Sequence, residues 1–294
     1  MIEVPAASMV ADVPCELVEI EQARGYRGWA RLFEPAGPSR AAVLYLHGIQ
    51  SHSGWFMRSC HALRDDGVTV LAPDRRGSGL NQADRGHAHS PQELVEDVDR
   101  CVAWLRDKTG RQQVDIVAVS WSGKLALAYA ARHGERVSSV VLVGPGLVAI
   151  VDVSLAEKIG IGAHGLVQPR RLHAIPLQDP HLFTENPPFL RYIEGDPLKL
   201  AEATASFFIM SRRLDCEVST AVAALARRQC PVRLFLAEHD RIIDNDKTLA
   251  MLRATLKPLA GWQGPARIYP GAHHTLDFEP APQEFFRELT AAVG

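Results

Sequence analysis

The stretch Asp115 to Ala131, DIVAVSWSGKLALAYAA, decides the fold. Four apolar residues suited to a strand run into Ser120, and a helical pattern begins at once behind it. A strand that reverses sharply into a helix forces its turn residue into a strained backbone conformation and points that side chain away from the sheet. Ser120 is therefore presented rather than packed. The residues two before and two after such a turn must be small; Ala118 and Ser122 stand where the elbow pattern G-x-S-x-G has glycine. Ser122 is the rival nucleophile, but taking it as the turn residue puts Lys124 where a small residue is needed and starts the helix two residues late.

With 294 residues, 47% of them hydrophobic, and a net charge of -2, the chain has the apolar content for one large core. No Lys/Arg cluster suggests nucleic acid, and the Arg170-Arg171 pair reads as surface. The longest apolar run, Val137 to Val151, is broken by Gly144, Pro145 and Gly146, and the amino terminus lacks a basic stretch followed by an apolar one, so no integral membrane segment and a cytoplasmic location are expected. The five cysteines have neither metal-ligand nor redox-pair spacing and read as reduced structural thiols. No metal and no cofactor are expected, because the histidine pairs lack ligand spacing and no glycine-rich phosphate loop is present.

Working outward from Ser120, strands are expected at Ala41–Leu46, Val68–Leu71, Val114–Val119 and Ser138–Val143, alternating with helices at Trp55–Asp66, Pro91–Asp107 and Trp121–His133. This alternation means a parallel sheet with crossover helices, preceded by an antiparallel pair, Leu17–Arg24 and Tyr26–Phe33, around Gly25. It resumes with strand Val232–Ala237, helix Asp246–Leu256, strand Ala266–Tyr269 and helix Pro282–Ala292. Residues 146–225 between the two blocks carry helix-like stretches, six prolines from Pro169 to Pro197 and no convincing buried strand. They are expected to form an inserted helical cap, with 1–145 and 226–294 as the core.

Ligands of open parallel sheets bind beyond the carboxyl ends of the strands, so the residues that follow each strand belong together. Those are His47-Gly48-Ile49-Gln50, Asp74 to Gly79, Ser120, Glu238-His239-Asp240 and Gly271-Ala272-His273-His274. A serine, then an acid, then a histidine is the chain order of a nucleophile, its orienting acid and its base.

Taken with Leu46-His47-Gly48, Ala72 to Gly79, Arg85-Gly86-His87, Ala118 to Gly123, and Asp196-Pro197-Leu198 with Thr204, this order resembles the α/β-hydrolases from Leu44 to Phe278, and within them it is similar to the monoacylglycerol lipase and lysophospholipase group. The resemblance implies a mostly parallel eight-stranded sheet flanked by helices with an inserted cap. It also implies a serine hydrolase in which Ser120 attacks an acyl carbonyl, His274 carries the proton and Asp240 supports the imidazolium. His274 is preferred to His273 because the family pattern puts a small and a variable residue first. Asp240 is preferred to Asp244 and Asp246 by its place after the strand; Asp246 reads as a helix cap, and Asp277 is too near His274. The oxyanion donors would be the Ile49 and Trp121 amides. His47 is expected to brace its loop, and Asp74 to Gly79 to be structural.

The expected substrate is a small-molecule acyl ester, a monoacylglycerol, lysophospholipid or similar. The residues that bind it stay open. The apolar runs 146–153, 159–167 and 207–210 suit an acyl chain or ordinary cap packing equally, and Trp55, Phe56 and Met57 suit either a pocket wall or the buried face of the first helix. A thioesterase shares the acyl-enzyme chemistry. A proline-iminopeptidase-like aminopeptidase shares the Ser120-Trp121 pair but has a glycine- and proline-rich oxyanion loop where this chain reads HGIQSHSG. The alternative of another class is a non-catalytic, ligand-binding homologue of the same fold.

Overall fold

The computed structural model describes residues 15–294. Expectations that touch residues 1–14, their place in the core and the lack of a leader pattern, lie outside the described residues. In chain order the main sheet uses β1 (Glu16–Glu21), β2 (Arg27–Phe33), β3 (Ala41–Leu46), β4 (Val68–Pro73), β5 (Val114–Val119), β6 (Val137–Val143), then, past two short strands in the insertion, β9 (Val232–Ala237) and β10 (Arg267–Tyr269). Every residue of β3, β4 and β5 is buried, as expected of apolar runs covered on both faces. The strands lie in the order β1-β2-β4-β3-β5-β6-β9-β10. They are parallel from β4 onward, while β2 runs antiparallel to both β1 and β4. This is the mostly parallel eight-stranded architecture of an α/β-hydrolase.

Register sets the site. Leu46 pairs with Ala118, Ala118 with Leu142, Val143 with Phe235 and Ala237 with Tyr269, so the loops after β3, β5, β6, β9 and β10 emerge along one edge. The flanking helices are α1 (Met57–Asp65), α2 (Pro91–Thr109), α3 (Ser122–Arg132), α7 (Asn245–Leu252) and α8 (Gln283–Ala291). Local chemistry sets their ends: α2 begins with the Ser90 hydroxyl accepting from the Glu93 amide and with Pro91 in its first turn, and stops at Gly110 in left-handed conformation. Two expectations shift here. The cap of α7 is Asp244, which accepts from the Lys247 amide, not Asp246, and α7 ends at Leu252 rather than 256.

Between β6 and β9 the chain adds α4 (Leu155–Val167), β7 (Leu172–Ala174), α5 (Pro187–Gly195), β8 (Glu202–Thr204) and α6 (Ala205–Arg228). None of these joins the main sheet. The sequence reading found no buried strand here, yet β7 and β8 form a short antiparallel ladder in which Ala203 and Thr204 are buried. Three residues per strand are too few for a periodic signal. α6 runs unbroken past residue 225. The insertion is tied to the core at several places, Asp196 and Thr204 among them. Asp196 accepts from the Trp55 indole (2.7 Å) and lies 3.0 Å from His52 Nε2, and Thr204 caps α6 while contacting His87 Nδ1 (3.0 Å).

Candidate active site

Ser120 leaves β5 with φ of 53°, a left-handed conformation costly for any residue with a Cβ. The strain is held from both sides. Its amide donates to the Val143 carbonyl (3.0 Å), and its carbonyl accepts from the Gly123 (3.0 Å) and Gly146 (2.8 Å) amides. Ser122 sits one step into α3 with its hydroxyl between the Leu46 (2.8 Å) and Val119 (2.9 Å) carbonyls. That hydroxyl ties the end of β3 to the start of α3, which gives the serine a structural task where the elbow pattern has glycine.

Asp240 follows β9, and its Oδ1 accepts from the Ile242 (2.8 Å) and Ile243 (3.1 Å) amides. Its Oδ2 lies 2.7 Å from His274 Nδ1, and both side chains are shut off from solvent. The loops that carry them are stitched together by the His239 amide donating to the Ala272 carbonyl (2.8 Å). A carboxylate that accepts two backbone amides keeps its second oxygen aimed at the ring, so Nδ1 is the ring nitrogen that donates to it and Nε2 faces away. His274 Nε2 is buried and has no hydrogen-bond partner among the described residues, Ser120 included. Catalytic hydrogen bonds are often long before substrate is bound. The rivals are engaged elsewhere. His273 contacts Glu279 through its amide and Nδ1, Asp244 holds α7 and Lys247, and Asp277 accepts from the Ser59 amide and hydroxyl.

The loop after β3 closes over the serine. A Cβ on Gly48 would come within 3.2 Å of both Ser120 Cβ and Ser51 Oγ, so any larger residue would crowd the serine and glycine eases this close approach. His47 braces the loop, as expected: Nε2 accepts from the Arg75 amide (2.9 Å) and Nδ1 donates to the Gly48 carbonyl (2.8 Å). Burial, then the Arg75 charge, push this histidine down to about 3, so it stays neutral. Asp74 anchors the neighbouring loop, accepting from the Ser53 amide and hydroxyl and from the Leu80 amide. Burial raises its carboxyl, but the Arg31, His52 and His47 charges and the Leu80 amide outweigh that and bring it to about 2.

A cleft of about 360 Å³ opens onto Ser120, lined on the core side by Ile49, Trp121, Lys124 and Ile242 and on the other by residues of 146–153, 175–177 and α6. The apolar runs of the insertion thus divide. Gly146 to Val153 line the cleft except Ile150, Phe207 and Met210 are buried packing, and Ile150 together with Leu155, Ile159, Leu166 and Val167 on α4 is exposed. Trp55, Phe56 and Met57 are buried, with Trp55 against Phe183 and Phe278 and Phe56 stacked on Tyr45. Missed from sequence was Lys124, one helical turn beyond Ser120, which enters the cleft wall paired with Asp215 and 3.3 Å from Ser211 Oγ. Asp215 is 91 residues away, so the sequence carried no signal for the pair.

Residues 37–281 match the family described as serine aminopeptidase, S33. A monoacylglycerol lipase of Mycolicibacterium smegmatis is 25% identical over 273 residues, covering 89% of this chain and 91% of its own length. A 2-hydroxymuconate semialdehyde hydrolase of Pseudomonas putida is 30% identical over 200 residues, 68% of this chain and 67% of its own. Among solved structures, a soluble variant of the monoglyceride lipase of Saccharomyces cerevisiae, in complex with a substrate analogue, superposes with a TM-score of 0.79 at 17% identity over 97% of this chain and 98% of that one.

Proposed function

Because the chain belongs to the serine aminopeptidase S33 family of α/β-hydrolases, we propose that it uses Ser120, Asp240 and His274 to cleave a carboxylic ester through an acyl-enzyme. The observation that carries this reading is the buried 2.7 Å Asp240–His274 contact beside a serine held at φ 53°. His274 Nε2 takes the Ser120 proton as the hydroxyl attacks the acyl carbonyl, and Asp240 supports the imidazolium that forms. The Ile49 and Trp121 amides receive the oxyanion. Nε2 then returns the proton to the leaving alcohol, and water repeats the sequence on the acyl-enzyme.

A monoacylglycerol, lysophospholipid or similar ester is the proposed substrate; the names of the lipase relatives and the aliphatic Leu147, Val148 and Val151 in the cleft support it. The insertion, 146–225, acts as the lid over that cleft. The five cysteines are free and suit a reducing compartment, the cytoplasm. No helix among the described residues is long and apolar enough to cross a membrane.

The test is hydrolysis of p-nitrophenyl esters from acetate to palmitate by the wild type, Ser120→Ala and Ser122→Ala. Turnover that vanishes only in Ser120→Ala supports the reading, and the preferred chain length separates a lipase-like from a short-acyl enzyme. Amide or thioester turnover without ester turnover transfers the assignment to an aminopeptidase or thioesterase. No turnover of any acyl compound leaves a ligand-binding homologue.

A further inference from the structure

Arg75 occupies a place that the proposed triad does not use. Its Nη1 donates to the Gly48 carbonyl (2.9 Å) and its Nη2 to the Ile49 carbonyl (3.0 Å). The guanidinium carbon lies 4.9 Å from the Trp121 ring centre and 5.2 Å from that of Phe207. Its Nε is shut off from solvent without a partner, and the side chain forms no ion pair among the described residues. Burial lowers this guanidinium to about 9 against the pull of the Asp74 charge, so it is a cation near neutral pH, and withdrawing one from water without a paired carboxylate is costly, so packing alone is a poor reason for it.

The geometry gives a better one. The C=O and N–H of a trans peptide point in opposite directions. Drawing the Gly48 oxygen toward Arg75 turns the Ile49 N–H the other way, and Ile49 lines the cleft together with Ser120. The same side chain stacks on Trp121, whose amide is the second proposed donor. We infer that Arg75 is the positioning residue of the oxyanion site: its two prongs hold the Gly48–Ile49 peptide through the Gly48 oxygen and the next peptide through the Ile49 oxygen, bracketing Ile49, and its stacking sets that loop against Trp121. This rests on the triad reading above. His47 also holds the Gly48 oxygen, so losing Arg75 loosens the donor without abolishing it. Lysine offers one nitrogen where arginine offers a planar fork, and it restores the charge but not the double grip.

The experiment compares wild type, Arg75→Met and Arg75→Lys on one p-nitrophenyl ester, with a trifluoromethyl ketone as transition-state analogue and thermal melting to follow the fold. A folded Arg75→Met should lose about 10- to 100-fold in kcat with KM within about threefold, and the ketone should weaken in proportion to kcat/KM. Arg75→Lys should show the same split at smaller size, and it carries the test alone if Arg75→Met melts below the assay temperature. Unchanged kcat, or a loss confined to KM with the ketone unaffected, overturns the inference. Failure of a fluorophosphonate to label Ser120 in the wild type overturns the triad reading instead, and the oxyanion role with it.

Discussion

On the core side of the cleft, polar groups are held from several directions: Asp240 by His274 and two amides, the Gly48 oxygen by His47 and Arg75, the Ser122 hydroxyl by two carbonyls. On the insertion side, α4 keeps one buried residue, Ile161, and leaves Leu155 75% and Leu166 89% exposed. The first wall holds its polar groups in fixed places, and on the proposed triad reading any change there should show in rate. In the insertion, α6 lines the cleft and is tied to the core through Ser211 to Trp121 and Asp215 to Lys124, whereas α4, outside the cleft lining, is loosely committed. On the proposed reading the core fixes the chemistry, and the choice of substrate is left to the insertion.

The largest effects should fall on the core wall. Ser120→Ala should lower kcat by about 10⁴-fold or more, and Asp240→Asn by a similar factor, because the imidazole then loses the partner that fixes its tautomer. Single-turnover kinetics on one ester measures both; a loss below tenfold in either would erase the contrast between the walls.

Next is Asp277, three residues after His274 and deep in the same wall. Burial outweighs its bonds from Ser59 and raises its carboxyl to about 6. The folded chain therefore holds this proton more tightly than the unfolded chain. That stability is fully present below about pH 4 and is lost as pH climbs through about 6, a change of roughly 3 kcal/mol. Urea unfolding from pH 4 to 7.5 should show the decline in the wild type and a flatter profile in Asp277→Asn; parallel profiles would remove Asp277 from the account.

Smaller again is Asp196→Ala, which strands the buried Trp55 indole N–H and should cost about 1–3 kcal/mol in thermal unfolding. It tests whether the insertion is anchored through that residue. Smallest is Leu166→Ser on the exposed face of α4, expected to shift unfolding by less than about 0.5 kcal/mol. A large destabilisation there would mean that this part of the insertion is as tightly packed as the core side of the cleft.

The same contrast governs what the sequence discloses. The elbow is legible because β5, the turn and α3 are contiguous, and strand ends bring Ser120, Asp240 and the His273-His274 pair together, the choice of His274 coming from the family resemblance. Adjacent rivals are harder: Ser122 and His273 are eliminated only by what their side chains reach, Leu46 and Val119 for one and Glu279 for the other. Arg75 is invisible as a positioning residue because its partners are carbonyls 26 and 27 residues back, which any side chain type would supply. The insertion is the least legible part. Its ladder has three residues per strand, its pinning contacts span over a hundred residues, and α4 exposes apolar side chains that a burial argument places inside.

The most direct measurement of the central claim is labelling with a fluorophosphonate, followed by peptide mapping. The account predicts one adduct, on Ser120, formed by the wild type and by Ser122→Ala, absent from Ser120→Ala and strongly slowed in His274→Ala. An adduct on Ser122, or labelling at equal rate without His274, would contradict it.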